Sequence, residues 1–470
     1  MNSTKISRTD LIKMCKDLGL KRYSALKVCD LKVLIENHKK IHNEECESNA
    51  DTEESSDDTE ESVTSEVNND EIVAIDNPID LSTYKFIDLF CGIGGFHQAL
   101  HQMGAKCVLA CDIDKSCREV YKDNYGVEPV SNVKDIDETT MEDFDILCAG
   151  FPCQSFSNGG NKKCFEDERG LLFDEIIRIA KTKKPRFMFL ENVKHILKVS
   201  NGEVIKYIKN KIDITGYTLQ IFQISPHNYG IPQQRERVYF VCVRNDIYNG
   251  TDIILPKYHG KIEFQEFLDK KEEINSKYFI KDDILKVLES WDEMVKQFEI
   301  GEKISPTIMI NDAFKLYTEL EFNSFPQWKR DYITKNKPLI EKYRPQFLEW
   351  YNKHLSILQK REIYGKLEWQ TGAIKDNDSI FNHFIQIRQS GIRVKKGHYF
   401  PTLVAISQIP IYGKEKRYIT PRECARLQSF PETFKLSPDD KKSYKQLGNS
   451  VNVHNVHTVI SSTLKNYIVV

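Results

Sequence analysis

No apolar run in this chain approaches the roughly 18 residues that a membrane-spanning helix requires, and the amino terminus carries no hydrophobic leader segment. A soluble intracellular protein with no membrane partner is the expectation. The 12 cysteines include no Cys-x-x-Cys pair, and no histidines stand at ligand spacing, so neither a disulfide framework nor a zinc site is indicated. Cys107, Cys111 and Cys117 lie close along the chain and read as lining a strand and a helix, not a metal. Basic residues are missing altogether from 44–80, which hold 15 acidic ones. A stretch so charged and so poor in large apolar residues cannot form a core, and it reads as a solvated tether.

The net charge of −2 therefore hides an asymmetry, because both flanks of the acidic stretch are basic. Residues 1–43 hold ten basic and four acidic side chains, the footprint of a module that binds a polyanion. Thr9 or Asp10 can cap a helix on which Leu11, Ile12, Cys15 and Leu18 recur at helical spacing; Gly19 ends it, and Asp30 starts a second helix with Leu31, Leu34 and Ile35. The stretch GLKRYSALKVCDLKVLI resembles the small SAP and Rho amino-terminal nucleic-acid-binding modules. That resemblance implies DNA attachment through Lys21, Arg22, Lys27 and Lys32.

From Leu81 onward short apolar runs alternate with helical patterns. Strands are predicted at 84–90, 107–111, 145–149, 187–190, 218–224 and 237–243, with helices at 94–103, 115–124, 171–181 and 203–212 between them. This rhythm predicts an α/β fold with a doubly wound, mainly parallel sheet. The first strand runs into Phe90-Cys91-Gly92-Ile93-Gly94-Gly95, a glycine turn that lets backbone approach a ligand at a helix start. The second ends at Asp112, placed about twenty residues further on to bind ribose hydroxyls, although Asp112 or Asp114 also suits a helix cap. The third empties into Gly150-Phe151-Pro152-Cys153-Gln154-Ser155, so Cys153 stands at the carboxyl edge where open α/β sheets keep their chemistry. By itself such a thiol is either an inert small hydrophobe or a nucleophile.

DLFCGIGGF, DILCAGFPCQSFS, FLENV, QQRERVYF, RECARLQSFP and QLGNSV follow one another in that order. Together they resemble the DNA (cytosine-5) methyltransferase family across residues 86–460. The resemblance implies an S-adenosylmethionine-dependent methyltransferase fold, duplex DNA as partner, and transfer of a methyl group to carbon 5 of a flipped-out cytosine within a short sequence. Carbon 5 is a poor nucleophile until another nucleophile has added at carbon 6, and Cys153 matches the residue that does so. Glu191 matches the acid that bonds the ring at nitrogen 3, and Arg235 and Arg237 match a pair of which one lies by the cytosine and the other by phosphate and the fold. The cofactor positions carry over to Phe90, Gly92, Gly94, Gly95, Asp112, Ile113, Asn132, Val133, Pro152, Leu172, Asn449 and Ser450. Two depart from the family pattern: Ile113 replaces an aromatic that stacks on adenine, and Asn132 replaces an acid that accepts from its amino group.

The resemblance divides the chain into the module 1–43, the tether 44–80, a catalytic domain at 81–255, a target-recognition domain at 256–440 and a closing segment at 441–470. The middle region holds all four tryptophans, long helical patterns at 281–298 and 339–361, and Gln386, Arg388, Gln389, Ser390, Arg393 and Lys395 as base or phosphate contacts. The tryptophans are expected mostly in the core. The helix opening at Thr420-Pro421 reads as structural support, and the final helix should return to the first strand. A monomer is expected, with a cognate restriction endonuclease acting separately. Two other readings stand beside this one. A tRNA cytosine methyltransferase of the same fold typically has a Cys-Phe-Thr element in its target domain, whereas residues 243–423 contain no cysteine. A non-catalytic DNA-binding regulator is disfavoured by the intact Cys153, Glu191, Arg235 and Arg237.

Overall fold

The computed structural model describes residues 79–152, 171–260, 262, 264–304, 307–315, 317–404 and 408–468. The basic module and nearly all of the acidic stretch lie outside them, as does Cys153. Six strands form the first sheet: β1 (Lys85–Leu89), β2 (Lys106–Cys111), β3 (Ile146–Gly150), β4 (Phe187–Val193), β5 (Tyr217–Ile224) and β6 (Arg237–Arg244). Their order is β2-β1-β3-β4-β6-β5; β1 pairs in parallel with β2 and β3, β3 with β4, while β6 runs antiparallel to both its neighbours.

Two cores follow from the alternation of side chains along these strands. Phe86, Ile146, Cys148, Phe187, Phe189, Tyr239 and Val241 pack on one face; Ile87, Leu89, Leu147, Ala149, Met188, Leu190, Val238 and Phe240 pack on the other. Strands buried on both faces read as continuous apolar runs, which is why they are legible in sequence. Helices α1 (Gly95–Gln102) and α2 (Lys115–Tyr125) follow β1 and β2; α3 (Leu171–Lys183) and α4 (Glu203–Ile214) flank β4. The strand order reverses between β1 and β3, so a crevice opens outside their carboxyl ends, the usual ligand position in such sheets.

A second sheet occupies the middle of the chain, built from short strands between Ile308 and Tyr418. Helix α5 (Asp282–Val295) packs there with Trp291 and Trp350, both buried; Trp369 is buried too, whereas Trp328 is exposed. The single long helix expected over 339–361 is instead two, α6 (Gln327–Lys342) and α7 (Arg344–Leu358), with Tyr343 between them outside helical geometry. Tyr343 is buried against Phe298 and bonds Glu302, so tertiary contact and Pro345 at the start of α7 set the break. Helices α8 (Pro421–Leu427), α9 (Asp440–Asn449) and α10 (Val453–Leu464) close the chain. Cys424, Ala425, Leu427, Phe430 and Phe434 lie in the core of the first sheet, and α10 packs on α1, the helix that follows the first strand. Among the described residues no helix is long and apolar enough to cross a membrane.

Candidate active site

The turn after β1 is tightly specified. Phe90 and Gly92 both have positive φ, 55° and 53°, and the Gly92 amide donates to Asp112 Oδ2 at 2.8 Å. Asp112 Oδ1 accepts the Asp114 amide at 2.8 Å, so this carboxylate braces the ends of β1 and β2 with one oxygen each. Burial raises its pKa, against those two amides. Asp114, not Asp112, caps α2, accepting from the Ser116 amide; Lys445 of α9 bonds its other oxygen and holds its pKa down at about 2. Gly94 has φ 89°, and a Cβ there would sit 2.4 Å from the Tyr125 ring; at Gly95 it would sit 2.6 Å from Val451. Both glycines are demanded by close packing, whereas a Cβ at Gly92 would meet nothing within 4 Å.

These features leave room for a ligand. Helix α1 has no side-chain cap, so its first amides are available to an anion. Ile113, beside Asp112, is 82% exposed and offers an apolar plate. Asn132 uses its side-chain oxygen on the Lys134 amide at 3.1 Å, and Val133 is buried behind it. Leu172 is half-buried near the start of α3, Asn449 is exposed at the end of α9, and Ser450 is buried with its hydroxyl on the Val451 carbonyl. An adenosine bearing an amino-acid tail would match this set: apolar plate, carboxylate for hydroxyls, helix amides for a negative end.

Across the crevice, β3 ends at Gly150, and Phe151 is buried with its carbonyl bonded by Asn192 Nδ2 at 2.9 Å. Pro152 is exposed, and Cys153 follows it directly. Glu191 lies inside β4, two residues before its end, on the same face as Phe187 and Phe189. Because β6 is antiparallel to β4, its first residues reach this carboxyl edge: Val193 faces Arg237, and Glu191 faces Tyr239. Arg237 Nε stands 3.1 Å from Glu191 Oε1, while Oε2 lies toward Gly150. Burial raises the Glu191 pKa, and Arg237 and then Arg235 oppose it.

The two arginines have separate surroundings. Arg235 is buried and donates to the carbonyls of Leu403 at 2.6 Å, Gly448 at 2.8 Å and Ser450 at 2.9 Å. Its guanidinium thereby ties two distant stretches of chain to its own, and burial lowers its pKa to about 9. Arg237 is the one that pairs with Glu191. The segment before β6 is also zipped to the segment leaving the second sheet: the Phe400 amide donates to Pro232 O at 2.7 Å, and the Thr402 hydroxyl to Gln234 O at 2.6 Å. Asn192, Phe400 and Thr402 escape sequence reasoning. Asn192 has a signal in its place beside Glu191; the other two have none.

Two of the side chains expected to contact DNA are otherwise engaged. Gln386 is buried and donates to the Gln408 carbonyl at 3.2 Å, and Arg393 pairs with Glu368 at 2.7 Å. Both belong to a β-ladder in which inward positions are taken by the core, a partition that the charge pattern alone does not reveal. The start of α8 carries a capping box between Thr420 and Glu423, and Glu423 also meets buried Arg417 in a two-pronged ion pair at 2.8 and 3.0 Å.

A sheet whose strand order reverses beside a glycine turn, with an acid and an arginine paired at the same edge, defines a methyltransferase-type α/β enzyme. Residues 84–465 match the model of the family described as C-5 cytosine-specific DNA methylase. The chain belongs to that family and is a DNA (cytosine-5) methyltransferase. It is similar to the type II methyltransferase M.HhaI of Haemophilus parahaemolyticus, 34% identical over 371 residues that cover 79% of this chain and 91% of that protein. It is likewise similar to M.BanI of Aneurinibacillus aneurinilyticus, 29% identical with coverage of 81% and 96%, and to M1.ScrFI of Lactococcus lactis subsp. cremoris, 31% identical with coverage of 81% and 78%.

Proposed function

We propose that the enzyme methylates a cytosine turned out of duplex DNA within one short sequence, with S-adenosylmethionine as donor and Cys153 as covalent nucleophile. The pair of buried Glu191 with half-buried Arg237, at the sheet edge where β3 ends three residues before Cys153, carries this reading. When bound, the cofactor supplies an electrophilic methyl group. Phe90, Gly92, Gly94, Gly95, Asp112, Ile113, Asn132, Val133, Pro152, Leu172, Asn449 and Ser450 would hold it, with Asp112 toward the ribose and the α1 amides toward the carboxylate.

Each protein group has a defined task. The target base must leave the stack to reach this crevice, at a cost of a few kcal/mol. The Cys153 thiolate adds to carbon 6, forming a carbon–sulfur bond and placing electron density on carbon 5. Glu191 in its acid form donates to nitrogen 3, which lowers the barrier to that addition, and the raised pKa favours the acid form. Arg237 orients Glu191 and carries positive charge toward the base, while Arg235 supports the fold. After methylation carbon 5 gives its proton to solvent water, that bond's electrons restore the carbon 5–carbon 6 double bond as the Cys153 thiolate leaves, and nitrogen 3 returns its proton to Glu191.

The relatives named above are type II methyltransferases, and we extend to this chain a companion restriction endonuclease that reads the same sequence. The second-sheet region would read the bases, with Arg388, Gln389, Ser390 and Lys395 as contacts, and residues 1–43 would add a second attachment to DNA. The deciding experiment incubates duplex DNA with the protein and labelled S-adenosylmethionine, then maps the product at base resolution. Methylcytosine at one short sequence, lost in Cys153→Ala, is expected. Label in tRNA but not in duplex DNA overturns the reading, and deletion of 1–43 with unchanged DNA affinity removes that module's part in it.

A further inference from the structure

Asp88 is the penultimate residue of β1, just before the glycine turn, and its side chain is completely buried. Neither carboxyl oxygen makes a well-formed hydrogen bond among the described residues. The nearest donors are the backbone amide of His97, in the first turn of α1, and the Tyr121 hydroxyl of α2. The groups around it come from every neighbouring element: Cys107 of β2, Cys148 of β3, His97 of α1, Tyr121 and Tyr125 of α2, and Cys91 in the turn. Among the described residues the charged group acting on Asp88 is Asp112, which repels it, and no cation there acts on it.

A buried carboxylate without a cation or hydrogen bonds is far costlier than the neutral acid. Helix α1 is eight residues long and lacks a side-chain cap, so its amino end is the positive pole of the crevice, and the His97 amide in its first turn acts on Asp88. An ionised Asp88 would cancel that pole; a protonated one would leave it intact. The local hydrogen-bond geometry suits the neutral form. His97 Nδ1 lies 2.6 Å from the Tyr121 hydroxyl, and burial holds the imidazole neutral with a pKa near 3. With Nδ1 accepting the Tyr121 proton, that hydroxyl is not free to donate to Asp88.

We propose that Asp88 is held as a neutral carboxylic acid beneath the glycine turn, where it acts as a positioning residue that reserves the positive end of α1 for the cofactor's carboxylate. This rests on the assignment of S-adenosylmethionine to the crevice. Loss of the Asp88 proton places a second negative charge behind the helix start, so cofactor binding weakens as pH rises. Asp88→Asn, which keeps the shape and a donor but cannot ionise, loses that dependence.

The test measures S-adenosylmethionine binding by calorimetry for the full chain and for Asp88→Asn as pH is raised from neutral, where affinity of the parent should fall by at least ~5-fold more than that of the variant once Asp88 loses its proton. Comparing the two cancels titration of the ligand's own groups. Infrared spectra of the ligand-free proteins supply a second readout: the parent should show a protonated carboxylic-acid carbonyl band near neutral pH that is missing in Asp88→Asn. Parallel slopes across a pH range in which the carbonyl band disappears, a folded Asp88→Asn that no longer binds, or absence of the band near neutral pH each overturn the proposal while leaving the cofactor assignment standing. No binding by either protein at any pH overturns the cofactor assignment and the role of Asp88 together.

Discussion

Glu191 and Arg237 meet 3.1 Å apart although 46 residues separate them in sequence, because β6 runs antiparallel to β4 and so begins where β4 ends. The pair is nearly closed to solvent, and its two members pull the Glu191 proton in opposite senses: burial retains it and Arg237 expels it. Glu191→Gln should therefore slow methyl transfer by about 10²- to 10⁴-fold while leaving duplex affinity near that of the parent. Single-turnover rates alongside binding measurements separate the two effects.

Arg237→Ala removes the cation that lowers the Glu191 pKa, so the acid form persists to higher pH. Activity that depends on protonated Glu191 falls as pH rises through that pKa. The alkaline limb of kcat/KM should move upward in the variant even as its maximum drops, and a limb that stays in place argues against Glu191 as the titrating acid.

Arg235 calls for a different outcome. Its guanidinium donates to three backbone carbonyls from two distant stretches of chain, and truncation leaves those carbonyls buried without a partner. Arg235→Ala should cost about 3 kcal/mol or more of stability. Denaturant unfolding checks this, with Arg235→Lys recovering only part, since one ammonium cannot reproduce the planar fork.

The glycine turn separates packing from ligand space. Gly94→Ala combines a φ of 89° with a clash on Tyr125 and should destabilise the fold measurably. Gly92→Ala meets no neighbour and should cost only about 1 kcal/mol for its positive φ, yet weaken cofactor binding by filling the crevice. Thermal melts with and without S-adenosylmethionine distinguish them.

Glu423 and Arg417 are both wholly buried, and Glu423 further accepts the Thr420 and Asp269 amides. Glu423→Ala leaves the buried Arg417 guanidinium with Glu415 but without its two-pronged partner, and should cost about 3 kcal/mol. If the pair is structural support only, the folded fraction should retain cofactor affinity.

Asp114 offers a check in acid. Its pKa is lowered to about 2 by Lys445 and the Ser116 cap, so its contribution is complete above the unfolded value of 3.8 and disappears as pH falls toward 2. Asp114→Asn should lower stability at neutral pH by about 1 kcal/mol, and the difference should vanish at the acid end of that window.

The sequence by itself determined the order of strands and helices in the first sheet, the glycine turn and the family. Each of these is written in local periodicity or in contiguous residues. It also placed Glu191, Arg235 and Arg237 near one edge, but two arginines two residues apart look alike along the chain. Only the tertiary structure decided that Arg235 turns into carbonyls of Leu403, Gly448 and Ser450 while Arg237 meets Glu191. The same holds for Gln386 and Arg393, whose polar atoms are consumed by partners in the second sheet, and for Tyr343, which breaks a pattern that reads as one helix. Asp88 is the clearest case, since an acid in an apolar strand is visible in sequence, but that no cation among the described residues meets it depends on what β2, β3, α1 and α2 bring around it. Periodicity is a property of neighbours in the chain; partnership and desolvation belong to neighbours in space.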